Sequence, residues 1–332
     1  MFKAIRIVQP NQITLVNLKL SELQPDEVLI KVMASGICGT DIHILRGDYI
    51  AKYPVIPGHE FSGIIEKIGE RITRFEIGDN VAVEPNISCD NCYNCLNNRQ
   101  NFCKNWQAIG VTKSGGMAQF VVVPEKAVFN IDKLQFEYAA FMEPLSCVLH
   151  GLKKVKINPG DRVVVFGAGP IGILFLQMVR LQGAVYVSVL ENLATRAALA
   201  EQYGANQIFH DISDFKKDDF DVVIDATGVI SLMQQTIDLA RTGGGVLLFG
   251  VPPAGEKLKL EGMKIFQKGL TISSSFTSVR NSYQAIALLE AGKIDVSGLI
   301  SHRLPLFEFE RGIKLIEIGD DDVKKVMILP QH

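Results

Sequence analysis

Cys89, Cys92, Cys95 and Cys103 stand in the run CDNCYNCLNNRQNFC, separated by two, two and seven residues. Thiolates at this spacing can reach one tetrahedral ion from a single small lobe, which is the chemistry of a zinc site. With four protein ligands the site has no position left for a substrate. Such a zinc holds structure, and any reaction belongs elsewhere in the chain. Disulfides are the competing reading. They suit a small secreted chain better than one of 332 residues with six cysteines and no apolar leader.

A second motif, Gly167-Ala168-Gly169-Pro170-Ile171-Gly172, has the form G-x-G-x-x-G. It follows the apolar run Arg162–Phe166 and opens a helical pattern. Glycines there allow a tight turn and bring backbone N–H groups and a helix N-terminus up to a pyrophosphate. Glu191 ends the next strand, 19 residues beyond Gly172. A carboxylate at that place accepts from the adenosine ribose hydroxyls and repels a 2′-phosphate. The expected cofactor is NAD rather than NADP.

Four further residues could hold or work beside a metal: Cys38 in GICGTD, His59 and Glu60 in GHE, and Glu143 in MEP. Taken singly, each has an ordinary alternative. A lone cysteine is commonly a small buried residue, a lone histidine a satisfied core group, and an acid before proline a helix start. Spacing alone does not show that they meet.

These groups need elements to position them. In the first third, short strand candidates (Val28–Val32, Phe61–Glu66, Asn80–Glu84, Gln119–Val123) are punctuated by Gly and Pro. From Asp161 the pattern changes. Apolar strands at Arg162–Phe166, Val185–Leu190, Gln207–His210, Phe220–Asp225, Val246–Gly250 and Leu270–Ser273 alternate with helical stretches, including Ala194–Tyr203. That alternation predicts an α/β fold with a doubly wound parallel sheet of the Rossmann kind. After Val279 come a helix, the segment Ile300–Pro305, another helix and a strand at Lys325–Leu329. The pattern itself does not assign this tail to either domain.

The bulk composition is 47% hydrophobic with a net charge of −2. It carries no basic stripe for nucleic acid and no uninterrupted apolar run for a bilayer. A cytoplasmic protein acting on a small molecule is expected.

Taken together, GICGTD with Asp41-Ile42-His43, GHEFSG, the cysteine lobe, GGMAQF, EPLSC and GAGPIG resemble the zinc-dependent medium-chain dehydrogenases of the alcohol and polyol type. The resemblance runs from about Lys3 to Pro330. It implies a GroES-like β-barrel catalytic domain over residues 1–145, with the zinc lobe at about 88–105. A Rossmann domain over 146–278 and a tail, 279–332, returning to the first domain complete it. It further implies a catalytic zinc held by Cys38, His59 and Glu143, with Glu60 beside it and able to enter its shell. Two zinc ions per chain follow. Glutamate at 143, where simple alcohol dehydrogenases have cysteine, resembles the polyol and threonine dehydrogenase branches. Cys147 falls off the ligand position and reads as a buried thiol. Thr40 resembles the hydroxyl that contacts the substrate oxygen, and His43 the end of the proton path. Ile171, Glu191, Arg196 and Phe249-Gly250-Val251 resemble cofactor contacts, joining Gly167, Gly169, Pro170 and Gly172.

The implied activity is NAD-linked oxidation of a secondary alcohol, first of all a polyol to a ketose. L-threonine or a small secondary alcohol is the alternative. A catalytically idle NAD- or zinc-binding protein is a remote one, since the whole catalytic set is kept. The Arg-Tyr pair of animal-type sorbitol dehydrogenases is missing from Ser275–Arg280, which argues against sorbitol itself. Tyr49 and Trp106 are candidate pocket aromatics with packing as the equal alternative. The family implies a homo-oligomer, tetramer ahead of dimer.

Overall fold

A computed structural model describes residues 1–319 and 322–332. The chain divides into two compact units. Met1–Ser146 with Ser278–His332 forms one, and Cys147–Thr277 the other.

The first unit is built on a seven-stranded, mostly antiparallel sheet. Glu27–Gly36 is its central strand. It pairs antiparallel with Glu60–Ile68, with Phe120–Pro124 and with Lys325–Leu329. Val28, Ile30 and Val32 alternate onto one face and pack with Phe61, Ile65, Val81, Val121 and Val123 in a hydrophobic core. The period-two pattern read in the sequence is this buried face. The last strand also pairs with Ile300–Pro305, so the chain's tail belongs to this first unit. The helix Phe309–Ile318 buries Phe309 and Ile313 in a second cluster with Ile37, Ile42, Val326 and Ile328. A hairpin, Phe2–Gln9 with Gln12–Leu18, precedes all of this.

The second unit is a six-stranded, all-parallel sheet. Counted along the chain, its strands lie in the order 3-2-1-4-5-6, the Rossmann arrangement. They are Arg162–Phe166, Tyr186–Leu190, Gln207–Phe209, Phe220–Asp225, Ala240–Leu248 and Thr271–Ser274. Val163, Val164, Val165 and Phe166 have no exposed surface, as a central parallel strand covered on both faces requires. One expectation changes. The fifth strand is not Val246–Gly250 but Ala240–Leu248, with Phe249 and Gly250 in the loop that follows. The added start pairs at Ala240, opposite Phe220, and pairing resumes at Gly245, opposite Val222, with a register shift between them; side-chain pattern gives no strand signal there.

Candidate metal centres and cofactor cradle

The four lobe cysteines converge. Their sulfurs are 3.4 Å (Cys89–Cys103), 3.5 Å (Cys92–Cys95), 3.9 Å (Cys92–Cys103) and 4.0 Å (Cys89–Cys95) apart. A tetrahedral set about 2.3 Å from one zinc puts its sulfurs about 3.8 Å apart, so the spacing suits the ion. It is far too long for disulfides, and none of the six cysteines forms one. The backbone N–H groups of Cys89 and Asn105 point at the Cys103 sulfur, each at 3.3 Å. N–H donors from the turns pull the Cys92 thiol down to about 6, while burial among the other sulfurs pushes Cys95 up to about 12. A dication would let all four exist as thiolates. Trp106 packs on this cluster and donates its indole N–H to Asn86.

A second group forms where the central strand ends. Cys38 Sγ, a ring nitrogen of His59 and a carboxylate oxygen of Glu60 lie within 4.8 Å of one another. Cys38 is the N-cap of the helix Gly39–Arg46, and Glu60 begins the neighbouring strand with His59 just before it. Asp41, with no exposed surface, ties the two segments together. One of its oxygens accepts the Cys38 N–H at 2.9 Å and the other the Gly58 N–H at 3.2 Å. The second oxygen stands 3.7 Å from His59 Nδ1, too far for a hydrogen bond. His59 Nδ1 is thus buried with no hydrogen-bond partner, an unpaired polar atom at the edge of a group of metal-ligating side chains. Burial alone would lower the His59 pKa, but the Cys38 and Asp41 charges prevail and hold it well above the ordinary range.

Lys325 was not anticipated. It arrives on the last strand, is 5% exposed, and forms an ion pair with Glu60. Gly36 makes the room. A Cβ there would stand 2.6 Å from the Glu60 carboxylate and 2.7 Å from Lys325 Cε. Burial would depress the Lys325 pKa, but Glu60, Cys38 and Asp41 outweigh it and raise it. Glu143 is buried at the start of the helix Met142–Leu152. Among the described residues it is not part of the Cys38–His59–Glu60 group. Cys147, expected buried, is partly buried.

Thr40 and His43 lie three residues apart on the helix that Cys38 caps, so they share a face. Tyr49 packs beside Ile44 and Val55; with Trp106 on the cysteines, both aromatics have packing roles.

In the second unit Gly167 turns with φ +91°, and a Cβ on Gly172 would run into the Gly167 carbonyl. Gly169 caps and Pro170 opens the helix Pro170–Leu181. Ile171 follows in the first turn. Glu191 is buried at the end of the second strand. Its carboxylate accepts from Ala168 N–H (2.9 Å) and Leu193 N–H (3.0 Å). Each oxygen keeps a lone pair for a hydroxyl donor. Arg196 is half-buried on the helix Ala194–Gln202. Asp225, fully buried at the end of the fourth strand, accepts from Thr227 and Gly228 N–H, while its own carbonyl accepts from Phe249 and Gly250 N–H. Burial raises the Asp225 pKa, and those donors oppose the rise. It fixes the loops carrying Thr227 and Phe249-Gly250-Val251. No motif in the sequence announced it.

The site and fold define a zinc-binding dehydrogenase. Residues 24–133 match the alcohol dehydrogenase GroES-like domain, and residues 170–291 the zinc-binding dehydrogenase family. D-arabinitol dehydrogenase 1 of Uromyces fabae is 34% identical over 322 residues, covering 93% of this chain and 92% of that one. L-threonine 3-dehydrogenase of Rhizobium etli is 32% identical over 320 residues, covering 92% of each. A zinc-binding dehydrogenase from Sinorhizobium meliloti 1021, solved bound to NADP, superposes with a TM-score of 0.93 at 36% identity over 99% of both chains. The chain belongs to the zinc-dependent medium-chain alcohol and polyol dehydrogenase family. No helix among the described residues is long and apolar enough to cross a membrane.

Proposed function

We propose that this chain oxidises a secondary alcohol of a polyol to the ketone, reversibly, with NAD as the hydride acceptor and one catalytic and one structural zinc. The observation that carries the reading is the converging group of partly buried Cys38 with buried His59 and Glu60, set beside a helix that presents Thr40 and His43. A bound zinc would supply Lewis acidity toward a hydroxyl, and the nicotinamide ring a place for the hydride.

The chain's own residues do the rest. Cys38 and His59 hold the metal, with Glu143 as third ligand and Glu60 held close by Lys325. Asp41 fixes the two ligand loops against each other. Thr40 accepts the proton of the substrate hydroxyl, and His43 passes it to solvent. Glu191 receives the adenosine ribose. Cys89, Cys92, Cys95 and Cys103 hold the structural zinc. The similarity to a D-arabinitol dehydrogenase favours a polyol; similarity to an L-threonine 3-dehydrogenase keeps threonine as the second reading. A panel of polyols, L-threonine and simple alcohols, followed by formation of reduced nicotinamide, separates them. Turnover confined to L-threonine would remove the polyol reading.

The same reading includes a homotetramer. Thr271–Ser274 is an edge strand of the parallel sheet, and pairing with its twin across a two-fold axis would cover it. Light scattering tests this: a mass near 36.6 kDa sinks it, and twice that leaves only a dimer.

A further inference from the structure

We propose that Asp48 is a positioning residue for proton release, and that it acts by fixing which nitrogen of His43 is free. The inference rests on the reading of His43 as the end of the proton path.

The device is built into the end of one helix. Gly39–Arg46 terminates at Gly47, whose φ of 84° is left-handed. Gly47 N–H donates to Ile44 O at 3.2 Å, and Asp48 N–H donates to His43 O at 3.1 Å. That crossed pair is a Schellman ending. It folds residue 48 back over residue 43 whatever their side chains are. Here the side chains are an acid and a histidine, and His43 Nδ1 lies 3.0 Å from Asp48 Oδ1.

An ionised carboxylate only accepts hydrogen bonds. The neutral ring must therefore carry its proton on Nδ1, which leaves the lone pair on Nε2. A histidine in the other tautomer would show an N–H where a base is needed. Oxidation of one alcohol yields one ketone, one hydride on the nicotinamide and one proton. The proton passes from the substrate hydroxyl by way of Thr40 and bonds to His43 Nε2, giving an imidazolium paired with Asp48. Loss of that proton to water restores the starting tautomer. The His43 side chain is 26% exposed, so water reaches it. As a stabilising ion pair so near the surface the contact is worth little; its value here is orientation.

The test uses the zinc-loaded protein. Nitrogen-15 NMR should show neutral His43 with its proton on Nδ1, and Asp48→Ala should shift the population toward Nε2–H. With D-arabinitol, or the alcohol of the panel oxidised fastest, Asp48→Ala should lower turnover about tenfold, within the range of acid–base effects. Asp48→Glu should recover part of it. Combined with His43→Gln, Asp48→Ala should cost nothing further, because the two act as a unit. Asp48 is 39% exposed, so the variants should keep the wild-type thermal midpoint. Wild-type His43 protonated on Nε2, or losses that multiply in the double variant, overturn the proposal. So does a large loss in His43→Gln with none in Asp48→Ala. Unchanged turnover in His43→Gln overturns the proton-path reading itself.

Discussion

Lys325 and Glu60 form an ion pair in which both side chains are almost wholly buried, 6% and 3% exposed. The lysine stands over the Phe141 ring, its nitrogen 5.9 Å from the centroid. Removing one partner of such a pair leaves a buried charge unmatched and costs about 3–5 kcal/mol. Lys325→Met should therefore lower unfolding stability by about that amount. Glu60→Gln added to it should recover part, since the orphaned charge is gone. Denaturant unfolding of the four proteins gives the cycle. Strictly additive losses would show that the pair is not coupled.

Lys325 also shows where sequence reading stops. In Lys324-Lys325-Val326 it looks like a solvated residue opening a strand. Its burial follows from pairing with an acid far back in the chain, and no local pattern encodes that. Asp41 is similar: GICGTD is visible, but not that its carboxylate clamps two loops. Ala240–Leu248 was half legible for a backbone reason, since its first half shifts register between Ala240 and Gly245 through glycines that have no side chains to alternate. By contrast, the cysteine lobe and the glycine turn carry their geometry in short spacings. The parallel sheet was legible because strands buried on both faces leave long apolar runs.

The cysteine lobe should be structural. Cys95→Ser breaks a four-sulfur set in which the Cys92 and Cys89 sulfurs lie 3.5 Å and 4.0 Å from that of Cys95, while leaving the Cys38–His59–Glu60 group untouched. Zinc content should fall by one equivalent, and thermal stability should fall more than activity per folded molecule. Metal analysis with calorimetry checks this. Activity lost in full with stability unchanged would mean that the lobe serves the reaction.

Cofactor choice should turn on Glu191. Two backbone N–H groups hold its carboxylate in place, so a 2′-phosphate meets a fixed negative charge. Wild type should prefer NAD⁺, and Glu191→Ala should narrow the preference, read as the ratio of kcat/KM values. A relative with 36% identity was solved with NADP, which makes the comparison informative. A wild-type preference for NADP⁺ would refute the assignment.

His150 should give the second unit an acid-sensitive step. Burial, then the charges of Lys154 and Lys153, lower its pKa from 6.5 to about 4. Between those values the unfolded chain binds the proton and the folded chain does not, so stability rises with pH across the window. Its cost is absent above pH 6.5 and grows as pH falls toward 4. Thermal midpoints of wild type and His150→Leu should therefore converge or cross as pH falls from 7 to 4. Parallel curves would show that His150 titrates as it does in the unfolded chain.

The metal ligands give the sharpest division of labour. Cys38→Ser and His59→Ala each remove a donor from the group within 4.8 Å, and each should abolish most turnover. Glu191 and the glycine turn lie in the other compact unit, so NAD binding by fluorescence or calorimetry should persist in both variants. Glu143 and Glu60 are the discriminating pair. Glu60 sits in the converging group and Glu143 does not, although the family resemblance makes Glu143 the third ligand. Glu143→Ala should therefore lower both zinc occupancy and turnover, whereas Glu60→Gln should lower turnover with zinc retained. If Glu143→Ala keeps near-normal turnover and zinc while Glu60→Gln loses the metal, the third ligand is Glu60.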